Sequence, residues 1–332
     1  MTATATQTVL SVDNLRTGFW TETGDVTAVD GVSFSVAPGE VLGVVGESGC
    51  GKSVTVESIM RLLDEKYTSY TGEVNFDGKN LLDLSEKEMQ QYRGSKVGMI
   101  FQDPMSSLNP VYTVGEQIVE GIRAHMDLSK ADAKARAIEM LKLTGIPSPE
   151  KRFSEYPHQL SGGMRQRVVI AMALACQPKL LIADEPTTAL DVTTQAQILD
   201  LIDNLCKEFD TGTIFITHDL GVVAEICHRV VVMYLGQVIE ETNVEDLFDN
   251  PRHPYTLGLI RSTPSMEAEQ DEDLHIIPGR VPTLHNVPSG CRFAARCALA
   301  TDHCRENAPE LEEFAPGHKV RCFRAADIEE MK

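Results

Sequence analysis

Residues 44–56, VVGESGCGKSVTV, place a glycine-rich turn between an apolar run and a helical pattern. Before the turn, GEVLGVV is almost uninterrupted in apolar content, as suits a strand buried on both faces of a parallel sheet. After it, SVTVESIMRLL repeats apolar residues at helical spacing. Gly46, Glu47, Ser48, Gly49, Cys50, Gly51, Lys52 and Ser53 follow the order glycine, four residues, Gly-Lys-Ser. Between a strand and a helix, the backbone N–H groups of such a turn wrap phosphates, and the helix N-terminus adds its dipole. Lys52 can then reach the outer phosphates, and the Ser53 hydroxyl can bind Mg²⁺. The loop predicts a nucleoside triphosphate site in an α/β fold.

A chain of 332 residues has room for one large domain with an appendage, or for two domains. Its 49 acidic and 30 basic residues give a net charge of −19, which repels nucleic-acid phosphates and anionic lipid; no nucleic-acid partner is expected. No apolar run approaches the roughly 18 residues of a membrane span. The N-terminal MTATATQTVLSV has neither the basic segment nor the apolar core of a secretion signal, so a cytoplasmic setting is expected.

Two further strand ends carry polar chemistry. In QPKLLIADEPTTALD, the apolar strand LLIAD delivers two adjacent carboxylates, which are costly at the end of a buried strand without a cation. Asp184 is positioned to hold Mg²⁺, directly or through water, and Glu185 to polarise an attacking water. The strand in GTIFITHD ends at His218, where ligands gather in open α/β sheets. Between these motifs, Leu160, Ser161, Gly162, Gly163 and Met164 open a helix that continues through VVIAMALA. Ser161 is a good N-cap, and Gly162 and Gly163 let backbone approach an anion at the positive helix end. A single chain thus carries two phosphate-binding devices, which implies that the second serves a nucleotide held by another subunit.

With the phosphate loop, Gln102 of MIFQDP, LSGGM, LLIADE, the turn Ala189, Leu190 and Asp191, and the ITHD histidine all in order between residues 10 and 250, the chain resembles the ATP-binding subunits of ABC transporters. Met164 departs from the usual glutamine of that family; because backbone amides from Ser161 to Gly163 bind the anion, the change is expected to be tolerated. The resemblance implies a head-to-tail pair of ATPase domains with two ATP molecules at the interface, each between one subunit's phosphate loop and the other's LSGGM helix. It implies that Asp191 belongs to the nucleotide-binding set, that Gln102 bridges Mg²⁺ and the permease contact, and that Phe19, with Trp20 as runner-up, stacks on adenine. It also makes the amphipathic segment after Gln102 a helical lobe, about residues 103–170, that receives a permease helix.

Composition changes after about residue 250: NPRHPYTLGLIRSTPS, the acidic MEAEQDEDL, then a proline-rich stretch holding Cys291, Cys297, Cys304 and Cys322. Cys50, Cys176, Cys206 and Cys227 are scattered through the preceding part, as small core residues are. Disulfides are disfavoured in a reducing compartment. The tail gaps of five, six and seventeen residues are wider than the usual zinc pairs, and four loosely spaced thiolates suit an iron–sulfur cluster. This extension is similar to that of oligopeptide and dipeptide transporter ATPases, some of which carry a four-iron four-sulfur cluster; zinc or free thiols are the alternatives. Such a cluster would staple a tail too small for a core of its own.

The expected fold is therefore an α/β P-loop ATPase: a parallel-sheet core, an antiparallel N-terminal subdomain, a helical lobe, and a cysteine-bearing extension, with boundaries at 1–250 and 251–332. The expected function is that of the ATP-hydrolysing, energy-coupling subunit of a di- or oligopeptide importer. It would work at the cytoplasmic face of the membrane with two permease subunits, a homologous second ATPase and, indirectly, an extracytoplasmic binding protein. Importers of this family for nickel or oligosaccharides, and a soluble ABC-type ATPase, are the alternatives.

Overall fold

The computed structural model describes residues 8–188, 190–263 and 276–331. Ala189 and the acidic stretch at 266–274 lie outside the described residues. In chain order the strands are β1 (Leu10–Thr21), β2 (Gly24–Val36), β3 (Val41–Val45), β4 (Thr68–Phe76), β5 (Lys79–Asn80) and β6 (Val97–Ile100). After them come β7 (Leu180–Asp184), β8 (Gly212–Thr217), β9 (Arg229–Tyr234), β10 (Gln237–Asn243), β11 (Glu312–Ala315) and β12 (His318–Val320). The chain divides into two compact units, one built from residues up to 10, 36–40 and 83–215, the other from 11–35, 41–82 and 216–332.

In the second unit, a four-stranded sheet runs β2-β1-β4-β5, antiparallel across its β4–β5 pair. Another run of strands begins with β3 and β9, which pair in parallel with Val44 beside Val231. The apolar sequences VLGVV and VVVMY account for this placement, because β3 is buried throughout and β9 from its second residue onward. Leu235 and Gly236, with φ of 45° and 80°, turn the chain into the antiparallel partner β10. Beyond β10 the tail adds β12 and then β11, both antiparallel. This hairpin is legible only in the structure, since EEFAPGHKV has the polarity of a loop and β11 is exposed along its length.

The buried acids of β10 explain how the tail is held there. Glu240 is fully buried; its Oε1 accepts from the Arg252 N–H at 2.6 Å and lies 2.7 Å from His318 Nε2, while its Oε2 accepts from the His253 N–H at 3.0 Å. Glu241 pairs with Lys319 at 3.0 Å and Arg229 at 3.4 Å. Buried carboxylates persist only when satisfied in this way. Apolar packing does the rest. Tyr255 and Phe293 from the tail join Val45, Val232 and Tyr234 in one core, with the three rings at centroid separations of 4.8, 5.3 and 5.4 Å. The tail shares the core beneath the phosphate-loop strand and so needs none of its own.

In the first unit, β6 and β7 are parallel, with Ile100 beside Ala183, and β8 lies beyond β7. The expected helical periodicity is realised in the helices Val114–His125, Lys130–Leu143 and Gly162–Leu174. Thr113 and Glu116 form a capping box at the first, and Ser129 caps the second. Val114, Ile118 and Ile122, four residues apart, form the buried stripe of the first helix.

His253 supplies a stability test. Its Nδ1 accepts the Tyr255 N–H at 3.0 Å, so the ring is held neutral at the start of helix Pro254–Arg261. Burial, with the Arg321 charge second, pushes its pKa from 6.5 down to about 3. Below pH 6.5 the unfolded imidazole binds a proton that the folded one refuses, so stability is lost as pH falls toward 3, by at most about 1.4 kcal/mol per pH unit. Urea unfolding at pH 7 and pH 5 should show this loss in the native chain, and a smaller one in His253→Asn, whose side chain can still cap the helix. Equal acid slopes in the two proteins would refute the assignment.

Candidate functional site

The phosphate loop begins where β3 runs out beside the end of β9. Gly46 has a φ of 150°, and a Cβ there would lie 2.3 Å from the Met233 carbonyl oxygen. Gly51 has a φ of 102°, and its Cβ would lie 2.7 Å from the carbonyl oxygen of Ala28. Only glycine fits either position. Gly51 precedes the helix Lys52–Ile59 in a left-handed conformation without a side-chain cap, the kind of helix start at which anions bind. Ser48 and Gly49 are exposed at the tip of the loop, and Ser53 stands half-buried in the first turn. Cys50 is buried, and burial raises its thiol pKa.

Lys52 is 5% exposed, and its ammonium donates to the carbonyls of Gly46 at 2.8 Å and Glu47 at 3.2 Å. The charge therefore sits over the loop's own concavity. Glu47 is gripped from the tail: its N–H donates to Tyr255 Oη at 2.8 Å, and its carboxylate pairs with both terminal nitrogens of Arg296, at 2.6 and 3.0 Å. His218, Val45, Gly46 and Glu47 line a cavity of about 120 Å³ together with Leu259 and Thr263. The structure thus places His218 beside the loop. Phe19 is half-buried on β1, and Trp20 is 52% exposed beside it.

The remaining expected residues lie in the first unit. Asp184 is buried at the end of β7, and Glu185 follows with a left-handed φ of 46°, a strained conformation for a residue with a side chain. Glu185 Oε2 accepts from Gln102 Nε2 at 2.9 Å and from Thr188 Oγ1 at 3.0 Å. Through its amide nitrogen Gln102 holds the carboxylate, and its Oε1 is the end suited to a hard cation such as Mg²⁺, as is the Asp184 carboxylate. Gln166, 1% exposed on the helix Gly162–Leu174, donates to the Pro186 carbonyl at 2.7 Å and so ties that helix to the carboxylate turn. Nothing in the sequence distinguishes Gln166 from a solvated helix residue.

Ser161 caps the same helix by accepting the Met164 N–H at 3.4 Å, which leaves Gly162 and Gly163 in its first turn. A Cβ on Gly163 would meet Thr194 Cγ2 at 2.8 Å. Asp191 accepts from the Thr194 N–H at 2.9 Å and hydroxyl at 2.8 Å as N-cap of the helix Val192–Phe209. The backbone bond, then the hydroxyl bond, holds its carboxyl below the usual range. Asp191 thus has a capping role that the sequence reading did not assign.

All eight cysteines are free thiols. Cys291, Cys297, Cys304 and Cys322 line one apolar cavity of about 10 Å³, space for about one water. Among the described residues, no three His, Cys, Asp or Glu side chains are gathered so as to hold a metal ion, and the expected metal centre therefore finds no support in this geometry. Burial raises the pKa of Cys291, that of Cys297 to about 11 and that of Cys322 to about 12, so these are thiols until a cation stabilises the thiolate. Two sulfurs also have local partners: Cys322 Sγ accepts the Arg324 N–H at 3.3 Å, and Cys304 Sγ lies 3.3 Å from Thr301 Oγ1.

Comparison with known proteins agrees with this geometry. Residues 29–188 match the family described as ABC transporter, and residues 239–304 match the oligopeptide/dipeptide transporter C-terminal region. The oligopeptide transport ATP-binding protein OppD of Bacillus subtilis is 54% identical over 95% of this chain and 88% of its own length. OppD of Escherichia coli is 50% identical over 96% of this chain and 94% of its own. A dimeric post-hydrolysis state of the ATP-binding cassette MJ0796, bound to ADP and Pi, superposes with a TM-score of 0.64 at 30% identity, over 71% of this chain and 98% of that one.

Proposed function

We propose that this chain, which belongs to the ABC transporter family, is the ATP-hydrolysing, energy-coupling subunit of an importer for di- or oligopeptides. The observation that carries the reading is likeness to oligopeptide transport ATP-binding proteins over nearly the whole length, C-terminal region included. We assign residues 1–250 to the ATPase, with a helical lobe at about 103–170, and 251–332 to the extension. Among the described residues, no helix is long and apolar enough to cross a membrane. In our reading the subunit is peripheral, held at the cytoplasmic face by two permease subunits and paired with a second, homologous ATPase, while an extracytoplasmic binding protein delivers cargo.

The residues divide the work. Lys52 and the backbone N–H groups of Gly46 to Ser53 bind the triphosphate, and Phe19 stacks on adenine. Ser53, Gln102 and Asp184 would hold Mg²⁺, which when bound would neutralise charge on the phosphates. Glu185, oriented by Gln102 and Thr188, positions and polarises water, and His218 assists beside the loop. Ser161, Gly162, Gly163 and Asp191 face a nucleotide held by the second ATPase. This division has a direct test. In the assembled complex, Glu185→Gln should retain ATP binding but lose about 100-fold or more in turnover, the scale of a lost general base. Lys52→Ala should instead weaken binding itself. Hydrolysis at the native rate in Glu185→Gln would overturn the assignment.

A second reading attaches to the cysteine cavity, because all four cysteines are among the residues that line it. We propose that they bind a four-iron four-sulfur cluster, or alternatively zinc, once their side chains spread beyond the present volume. A cluster would stabilise thiolates that burial alone disfavours. Protein prepared without oxygen should then contain iron and acid-labile sulfide, and lose both on Cys297→Ser but not on Cys206→Ser. Stoichiometric zinc without iron would favour the alternative, and metal-free protein would leave four free thiols.

A further inference from the structure

We propose that the C-terminal extension positions the phosphate loop through Glu47, with Arg296 as the positioning residue and Tyr255 as a second hold. The inference rests on the reading of that loop as the ATP site. Glu47 is an unfavourable neighbour for a triphosphate when unpaired, because its carboxylate would repel the ligand at short range. The structure pairs it. Both carboxylate oxygens meet the Arg296 guanidinium, a two-pronged geometry that arginine makes and lysine cannot. The pairing holds the guanidinium charged, pushing its pKa up, with the Glu47 hydrogen bond as the leading cause.

Arg296 is itself a fixed anchor. Its side chain is 4% exposed, its Nε donates to the Pro278 carbonyl at 2.9 Å, and its guanidinium lies 5.8 and 5.9 Å from the ring centroids of Tyr234 and Phe293. The main chain of Glu47 is held as firmly, by Tyr255 Oη on its N–H, while its carbonyl accepts from Lys52. One residue therefore connects the tail's arginine and tyrosine with the lysine expected to meet the phosphates. In sequence, Arg296 lies between Cys291 and Cys297, two residues that line the thiol cavity. Arg292 holds the other end of that segment through Asp30 and the Leu235 carbonyl.

A thermodynamic cycle on the full chain, titrated with a fluorescent ATP analogue and Mg²⁺, tests the coupling. Arg296→Gln should weaken binding about tenfold, as loss of one partner of a half-buried, two-pronged pair does, and Arg296→Lys should recover part of that loss. In a Glu47→Gln background, Arg296→Gln should cost less than about twofold, because the interaction it removes is already gone. Tyr255→Phe, which keeps the ring and removes the acceptor, should weaken binding about threefold, within the range of one hydrogen bond. In the assembled complex, Arg296→Gln should raise KM for ATP with kcat within about twofold, the signature of lost ground-state binding. An equal cost of Arg296→Gln in both backgrounds would mark a structural role confined to the tail and overturn the inference alone, as would native affinity in Arg296→Gln. Failure of the native chain to bind the analogue would overturn the ATP-site reading and this inference with it.

Discussion

The close approach of Gly46 to the Met233 carbonyl governs this molecule. A strand buried on both faces must leave its sheet abruptly if its end is to present backbone N–H groups to a ligand, and here the exit passes where no Cβ can sit. From that exit follow the left-handed Gly51, the uncapped start of helix Lys52–Ile59 and the position of Lys52 over the loop. The partner strand contributes more than a carbonyl. Tyr234, the residue after Met233, is the ring against which Tyr255 and Phe293 of the tail pack, so the element that shapes the loop also seats the segment that grips it.

The first unit solves a complementary problem. Asp184 and Glu185 are two anions at the end of a buried strand, and the structure treats them differently. Asp184 stays buried as the candidate for a cation, whereas Glu185 is turned out by a left-handed backbone and oriented by Gln102 and Thr188. Strain of this kind survives only where surrounding contacts overdetermine it, and the Gln166 bond to Pro186 is one such contact. Because Gln166 and Ser161 share a helix, the device read as facing another subunit's nucleotide is built onto the support of this chain's own carboxylates.

What was legible in the sequence was whatever depends on local pattern. The apolar runs of β3, β7 and β8, the glycine turn and the serine cap at 161 each follow from steric or hydrogen-bonding rules that operate within a few residues. Long-range polar pairings were not legible. Arg296 reads as one of several surface cations, and its meeting with Glu47 spans 249 positions. Tyr255 reads as an ordinary aromatic, and the burial of Glu240 runs against its residue type, redeemed only by donors from 252, 253 and 318. The cysteine spacing conveyed a shared location but not a ligand set, since spacing fixes neither the direction of the sulfurs nor the volume between them.

We propose that nucleotide is held at residues 46–53 and that the tail backs this loop. Hydrogen exchange of the full chain, with and without Mg²⁺ and ATP, addresses it most directly, because amides engaged by phosphate or stabilised by the docked loop exchange more slowly. Slower exchange is expected across residues 46–53 and, alongside it, across 254–261 and 291–297. Unchanged exchange at 46–53 under saturating ATP would contradict it.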